Sequence, residues 1–287
     1  MNKKFSVIIC LLFALCSKSQ LPNTDLWLFK IETDKLKQLD LKDPLNITNR
    51  DGYDNQPSFS ADGKRIYYVS IREDKQADIY FYDLGLKKNV AFTKTRISEY
   101  SPTLTDDGAS MASVVVEADS SQRIHFINMI SGLDEKKFDM DSVGYYTFLN
   151  SDTVIYYKLT NPHSLRYYVR GTNEDKWLAN YPIRTFKKIN RHRFIFGIKD
   201  TASVNFYTYD FLLQKAQKYA DYPSINEDIL WHPTLGLIKS EENKLMRFDE
   251  DSQKWLVLFD LAPFQIKKIT RFVFDPKNKL LVVVNNL

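Results

Sequence analysis

Short runs of alternating apolar and polar residues recur along this chain, and turn residues separate them. In the clearest stretch, residues 54–84, Tyr67 and Val69 stand two residues apart, as do Ile79 and Phe81. A period of two is typical of strands that bury one face. No stretch shows the 3.6-residue period of a long amphipathic helix. The pattern therefore predicts an all-β chain built from short strands.

The residues between these runs favour tight turns. Asp62 is followed by Gly63, and Asp107 by Gly108. Such pairs suit hairpins because glycine adopts a positive φ without a Cβ clash. Two prolines are expected at strand starts, where a missing N–H costs no ladder hydrogen bond. The residues predicted to have structural roles in the repeat are Pro57, Phe59, Asp62, Gly63, Asp78, Asp83, Pro102, Asp107 and Gly108.

The strand-then-turn unit repeats through the chain. Residues 101–108 match residues 56–63 at the proline and at the Asp-Gly pair. Taking Phe59 as the reference, successive copies follow at spacings of 45, 44, 41, 42 and 43 residues. This period is typical of one four-stranded propeller blade. The reference positions are Phe59, Leu104, Phe148, Ile189, Trp231 and Phe274.

The sixth copy supplies only two strand-like runs, residues 270–275 and 280–285. Two further runs, residues 25–31 and 35–41, precede the first full copy. Pairing the two ends would complete the last blade and remove exposed strand edges. The fold prediction is therefore a six-bladed β-propeller with four-stranded antiparallel blades, closed by the N-terminal strands.

The first residues have the pattern of a secretory signal peptide. Lys3 and Lys4 precede an apolar run at residues 5–15, which is too short for a stable membrane span. We expect cleavage before Gln20, so that residues 1–19 form the signal and residues 20–287 one propeller domain. The alternative is a lipid anchor on Cys16, although Leu15 lacks the small size expected before a lipidated cysteine. The expected location is periplasmic or secreted, with lipid anchoring as the alternative.

Cleavage at that point changes the charge and the cysteine content. The full chain of 287 residues has a formal net charge of +4 and two cysteines. The signal contains three lysines, no acidic residue and both cysteines, so the mature chain has a net charge of +1 and no disulfide. The weak, interspersed charge does not favour a nucleic-acid partner. No second apolar run approaches the length of a transmembrane segment.

The first repeat also carries a recognisable motif, Pro-x-Phe-Ser-x-Asp-Gly-Lys-Arg-Ile, followed by Ser-x-Arg and Asp-Ile-Tyr-x-x-Asp. It closely resembles the repeat of TolB-like β-propellers, which also occurs in relatives of prolyl oligopeptidase. The specific match covers about residues 54–110. Because only residues 20–53 precede it, the resemblance is to the propeller without the N-terminal α/β domain of TolB. The matching residues are Pro57, Phe59, Ser60, Asp62, Gly63, Lys64, Arg65, Ile66, Ser70, Arg72, Asp78, Ile79, Tyr80 and Asp83.

The resemblance implies an exported, non-catalytic module that binds or scaffolds a protein or another envelope ligand. The sequence contains no Gly-x-Ser-x-Gly nucleophile motif. Its histidines lack zinc-motif spacing and are expected in turns or on the surface, so neither a metal nor a cofactor is predicted. The four are His125, His163, His192 and His232.

Paired acidic residues keep an enzyme open as the alternative. Glycosidase chemistry needs two carboxylates across a sugar, which in a propeller would come from different blades around the channel. A polysaccharide-acting hydrolase or lyase is therefore the second hypothesis, although most of these acids are expected in solvated loops. A structural envelope subunit, with a large exposed apolar patch, is the third. The acidic groups are Asp106 with Asp107, Asp139 with Asp141, Glu227 with Asp228, and Asp249, Glu250 and Asp251.

The predicted binding site is the mouth of the central channel. Loops that enter the innermost strands surround this mouth, so the positions four and five residues before each reference residue are candidates, together with a neighbouring tyrosine. Carboxylates, amides, arginine and tyrosine suit a peptide or a sugar. A water-filled polar mouth is the other interpretation. The candidate ligand-binding residues are Asp54, Asn55, Glu99, Tyr100, Tyr145, Arg184 and Glu227. The expected partner is an envelope protein or peptide, and no oligomeric state is predicted.

Overall fold

The computed structural model describes residues 21–33 and 38–287, apart from the side chains of residues 135–137. The predicted signal peptide and Cys16 lie outside the described residues. Within them, the regular structure is β-strand apart from one short 3-10 helix, Ala262–Phe264. No helix in this part of the chain is long and apolar enough to cross a membrane.

The strands follow one another in antiparallel groups. The first six are β1 (Thr24–Thr33), β2 (Leu39–Asn46), β3 (Tyr53–Phe59), β4 (Arg65–Ile71), β5 (Ala77–Asp83) and β6 (Lys88–Ala91). The next eight are β7 (Ser98–Leu104), β8 (Ser110–Val116), β9 (Gln122–Asn128), β10 (Asp134–Lys137), β11 (Val143–Phe148), β12 (Thr153–Lys158), β13 (Ser164–Val169) and β14 (Glu174–Asn180). The last ten are β15 (Lys187–Asn190), β16 (Arg193–Lys199), β17 (Val204–Asp210), β18 (Lys215–Tyr222), β19 (Ile229–His232), β20 (Gly236–Glu241), β21 (Lys244–Asp249), β22 (Lys254–Asp260), β23 (Ile269–Phe274) and β24 (Leu280–Asn286).

These strands form an all-β propeller. Strands β7–β10, β11–β14, β15–β18 and β19–β22 make four separate four-stranded antiparallel sheets. The remaining eight strands form one sheet, in the order β23-β24-β1-β3-β4-β5-β6, with β2 paired to β1. In this sheet β1 pairs with β24 along its length, whereas its contact with β3 is a single parallel bridge, Thr24 to Tyr53. The N-terminal strand thus pairs with the C-terminal strand.

The hydrophobic core lies between neighbouring sheets. Tyr67 and Ile79 of the first repeat pack against Met111 and Ile127 of the second, and all four are buried. The inner strands bury both faces: in β4, Ile66 and Tyr68 pack on one side of the sheet and Tyr67 on the other, because successive side chains alternate between the two sides. The six reference positions of the repeat all lie in the first strand of their repeats, at β3, β7, β11, β15, β19 and β23.

The outermost strand of most repeats was not predicted from the sequence. Strand β18 is an example, since its first four residues are exposed. An outer strand is covered on one edge only and has little apolar surface to bury, so its sequence lacks the alternation of a half-buried strand. The second N-terminal strand, Leu39–Asn46, extends beyond the predicted run 35–41, and residues 35–37 of that run lie outside the described part of the chain.

Two proline positions differ from the prediction. Pro57 lies inside β3 and Pro102 inside β7, rather than at the starts of these strands. Each occupies a break in strand register, after residues Gln56 and Ser101 with φ of 57° and 55°. A bulge leaves one residue out of the ladder, so it accommodates a residue without an N–H. Pro44 occupies a similar bulge in β2.

Candidate ligand-binding channel

The first strands of the repeats converge on a cavity of about 220 Å³, which is the central channel. Each reference residue has a neighbour three positions earlier that lines this cavity. The predicted positions, four and five residues earlier, therefore missed the channel wall by one or two residues in most repeats. The residues at the corrected position are Gln56, Ser101, Tyr145, Phe186, Asp228 and Arg271.

One wall of the channel is neutral. It is formed by residues 56–58 and 101–103, with Tyr145 and Tyr146 beside them. The Ser101 N–H donates to Oε1 of Gln56 at 2.5 Å, and the Tyr146 hydroxyl donates to the Ser101 carbonyl at 2.9 Å. These bonds connect three neighbouring repeats and use polar groups that would otherwise face the cavity.

The opposite wall is charged and centres on Asp228, which is only 2% exposed. Nη2 of Arg184 donates to Oδ2 of Asp228 at 3.0 Å, and Nη1 of Arg271 donates to Oδ1. Burial opposes the charge on Arg184, but the Asp228 carboxylate outweighs it and the pKa of Arg184 is raised. The Arg271 guanidinium also lies over the Tyr145 ring, 5.6 Å from its centroid. One carboxylate therefore fixes two guanidinium groups.

Lys187 is the third basic residue of the lining. It belongs to no salt bridge within the described part of the chain. Burial and the Arg271 charge lower its pKa and the Asp228 carboxylate opposes them, with a net pKa of about 8. Lys187 therefore carries a positive charge at neutral pH without an ion-pair partner.

Glu227 lies at the mouth, in a recess of about 300 Å³ that also contacts Arg184, Glu241 and Lys268. Its carboxylate pairs with Lys199 and accepts the Arg184 N–H at 3.3 Å. Of the predicted site residues, Arg184 and Glu227 are thus brought together, and Arg184 also reaches the channel.

Two residues that were predicted to lie at the channel mouth, Glu99 and Asp54, are buried inside the protein instead. Glu99 is 1% exposed, and its two oxygens accept hydrogen bonds from the hydroxyls of Thr93 (2.6 Å) and Thr95 (2.7 Å). Asp54 is fully buried, with Nε of Arg50 at 3.1 Å from its Oδ2. Burial raises the pKa of both carboxyl groups. These residues stabilise junctions between strands and do not line the channel.

The remaining predicted residues divide between the mouth and the core. Asn55 and Tyr145 line a recess of about 210 Å³ next to the channel, and Tyr145 lines the channel as well. Tyr100 packs against the apolar core of its own and neighbouring sheets. Among the residues assigned to the repeat motif, Asp62 closes its turn by accepting from the Ser60 hydroxyl at 2.6 Å.

The other motif residues lie in similar local structures. Gly63 has a φ of +71°, and Gly108 has a φ of +66°. The equivalent carboxylate, Asp107, accepts the Ala109 N–H at 3.0 Å. Asp83 accepts two backbone N–H groups of its turn, those of residues 85 and 86. Asp78 differs, because the partner of its carboxylate is the Gln76 side chain at 2.9 Å. Phe59 packs on the edge of an apolar cluster between sheets.

Three channel residues were not selected from the sequence: Lys187, Asp228 and Arg271. Asp228 was interpreted as a solvated loop acid, which its burial shows to be wrong. The expectation for the histidines was also wrong at two positions. His125 and His232 are buried, and Nε2 of His125 lies 2.9 Å from Oε1 of Glu117. In the described residues, no group of three or more His, Cys, Asp or Glu side chains could hold a metal ion.

Comparison with known proteins identifies the fold. No family model matches the sequence, and no curated protein does. A structure assigned as TolB from Agrobacterium tumefaciens matches with a TM-score of 0.64 at 11% identity, covering 93% of this chain and 99% of that one. TolB from Acinetobacter baumannii matches at 0.57 and 12% identity, covering 92% and 63%. An oligogalacturonate lyase in complex with manganese matches at 0.54 and 10% identity, covering 90% and 82%. The chain has a TolB-like β-propeller fold.

Proposed function

We propose that this protein is an exported, non-catalytic TolB-like propeller that binds a protein segment or another envelope ligand at its central channel. The proposed ring has six blades, of which the eight-stranded sheet supplies two. Strands β1 and β2 complete the last blade. Among the described residues, the only strand pairing between this blade and the first is a single parallel bridge. The proposed location is the periplasm or the cell exterior after removal of residues 1–19, with a lipid anchor at Cys16 as the alternative.

The observation that carries the binding proposal is the charged wall of the channel. Two arginines are held by one buried carboxylate, and Tyr145 lies against one of them. Arginine and tyrosine contribute strongly to binding energy when they are rigid and partly desolvated. A guanidinium fixed before the ligand arrives loses less conformational entropy on binding. The wall thus has the properties of a preorganised recognition surface.

The same wall argues against acid–base catalysis by paired carboxylates. Glycoside hydrolysis needs two carboxyl groups about 5–10 Å apart that can exchange protons with the substrate or water. The channel lining contains one carboxylate, Asp228, and two guanidinium groups engage it. Glu227 at the mouth is paired with Lys199. Neither carboxylate is placed as an unengaged general acid or base.

A polysaccharide-acting enzyme remains the second candidate because the basic wall also suits the carboxylates of acidic sugars. An assay for chain cleavage of polygalacturonate distinguishes the two candidates. The binding module should release no products, whereas sustained release that Asp228→Asn abolishes would favour the enzyme.

Affinity capture from the native envelope tests the proposed function. The wild-type chain should retain a partner that Arg184→Ala loses, because this change removes a guanidinium from both the mouth and the channel. Arg191→Ala is the matched control, since Arg191 is exposed in a turn. Equal capture by the wild type and Arg184→Ala would overturn the channel as the binding site.

A further inference from the structure

We propose that the channel selects a negatively charged group and that its ligand is an acidic peptide segment, whose carboxylate enters between Arg184, Lys187 and Arg271. This inference rests on the proposed binding function and specifies the ligand of the same site. The inference predicts that the channel binds a negatively charged ligand more tightly than a neutral one of the same shape. A polar channel without net charge would show no such preference.

The charge balance of the lining is the first argument. The three basic side chains face one carboxylate, Asp228, which leaves an excess of two positive charges when Lys187 is protonated. The neutral wall offers no acidic side chain to offset them. Charges inside a narrow cavity are screened less than those at an open surface, so the excess attracts an anion more strongly.

Lys187 provides the second argument. The residue is half-buried in the channel lining, and it has no salt bridge in the described part of the chain. Burying a charge without a partner is unfavourable, and the lowered pKa of Lys187 reflects this. The carboxylate of a ligand would supply the missing partner. Binding sites commonly contain side chains that destabilise the free protein and are needed for its function.

The two arginines are already positioned for a second anion. Asp228 holds one end of each guanidinium, and Arg271 also donates to the Thr270 carbonyl at 3.0 Å. Nε of Arg184 is buried and lies 3.6 Å from Oε2 of Glu227, whose charge Lys199 balances, so the donors left for a ligand are on the Nη atoms. A guanidinium has five N–H donors, so one carboxylate does not exhaust it. The remaining donors can form charge-assisted hydrogen bonds with a ligand.

The cavity favours a peptide side chain over a sugar. Its volume of about 220 Å³ corresponds to about seven water molecules, which is enough for one carboxylate side chain and its solvent. The neutral wall contains Pro57, Pro102 and Tyr146, against which an apolar stem can pack, while Tyr145 lies beneath Arg271. Two polar groups of this wall, the Ser101 N–H and the Tyr146 hydroxyl, are already hydrogen-bonded, and the Ser58 hydroxyl is a buried group left over. A hydroxyl-rich sugar ring would need more hydrogen-bond partners there.

Titration calorimetry on the full mature chain tests this inference. The probes are N-acetylated, C-amidated Gly-Ser-Glu-Glu-Ser-Gly, its Gln-Gln counterpart and free galacturonic acid. The Glu peptide should bind at least about tenfold more tightly than the Gln peptide, which is the effect of one hydrogen bond to a charged group. Lys187→Met should reduce this preference several-fold, because the side chain keeps its length and loses its charge.

Lys188→Met is the matched control. Lys188 is the next residue of the same strand, points to the other side, and pairs with the exposed Asp106 at 3.4 Å. This variant should keep the wild-type preference. Equal binding of the Glu and Gln peptides, a preference that Lys187→Met leaves intact, or binding of galacturonic acid alone would each overturn the inference.

The two proposals fail separately. If Arg184→Ala abolishes capture of the native partner but the Glu and Gln peptides bind alike, the channel is the binding site and charge selection is wrong. If Arg184→Ala leaves capture unchanged, the binding function assigned to the channel is itself wrong.

Discussion

The two sides of the channel mouth use charged residues differently, although these residues all lie at or just before the first strand of their repeats. On one side Glu99 is enclosed, with both of its oxygens bonded to threonine hydroxyls. On the other side Arg184 and Glu227 border recesses, and Asp228 lines the channel. A repeat position therefore specifies where the backbone lies. Residues from the neighbouring repeat decide whether its side chain is sealed or reaches a ligand.

The difference has a structural cause. Thr93 and Thr95 lie between β6 and β7, and their hydroxyls close over the carboxylate of Glu99. At the equivalent junction near Glu227, the neighbouring groups are Arg184 and Lys199, which pair with it across a recess. At these two junctions the short threonine hydroxyls enclose Glu99, whereas the longer basic side chains leave a recess beside Glu227. The charged side of the ring is therefore the one suited to binding.

The largest expected effect is the loss of the carboxylate that holds the charged wall together. Asp228→Ala leaves Arg184 and Arg271 facing each other without a counter-charge, so it should cost about 3–5 kcal/mol of stability. Urea unfolding measures this cost. Asp106→Ala removes an exposed partner of Lys188 and should change stability by less than about 1 kcal/mol. Similar values for the two variants would contradict the account of the charged wall.

An intermediate effect is expected from Lys187→Met, which should stabilise the fold by about 1 kcal/mol at pH 7 after allowance for solvent screening. The pKa of Lys187 is about 8 in the folded chain, compared with an ordinary lysine value of 10.5 for the unfolded chain. Between these values the unfolded chain binds more protons, so wild-type stability rises with pH. The advantage of the variant should accordingly shrink from pH 7 to pH 9.5 in urea unfolding.

The same measurement on Lys188→Met provides the comparison, with no expected change beyond about 0.5 kcal/mol. Destabilisation by Lys187→Met would mean that Lys187 supports the fold rather than the binding site.

The smallest effect is expected on the sealed side. Glu99→Gln should alter stability by less than about 1 kcal/mol at pH 7, in the stabilising direction, because the amide avoids burying a charge and still bonds to the threonines. The pKa of Glu99 is raised in the fold, so its contribution is present below 4.5 and is lost as the pH rises through the folded pKa. Thermal unfolding of Glu99→Gln should therefore show a smaller loss of stability than the wild type as the pH rises from acid to neutral. The control variant Glu242→Gln, which changes an exposed residue, should lose as much stability over this pH range as the wild type.

The sequence predicted the inner strands well because their apolar side chains fill the spaces between neighbouring sheets. Residues 66–71 of β4 are all buried, so the alternation at Tyr67 and Val69 identified one of two buried faces. The turn at Gly63 follows from its positive φ, and the repeat spacing extended both features through the chain. Outer strands such as β18 could not be predicted in the same way, because solvent removes the requirement for alternation. The bulge at Pro44 likewise hid most of β2.

The lining of the channel was predicted less accurately for a different reason. The first strands contain register breaks, such as those after Asn55 and Tyr100, and each break changes which residue faces the channel. Counting back from the reference residues therefore reached Arg184 but missed Asp228 and Arg271, and Tyr145 was included only as a neighbour of the counted positions. The sealing of Glu99 depends on two threonine side chains that no motif connects to it.

Site-specific photo-crosslinking in cells that make the native partner tests the central claim most directly. A benzoylphenylalanine replaces Tyr145 in the channel in one chain and Trp177 in the other. Trp177 is 55% exposed on the outermost strand β14 and serves as the matched aromatic position. The account predicts a crosslinked partner from position 145 and none from position 177. A partner captured from position 177 alone would contradict it.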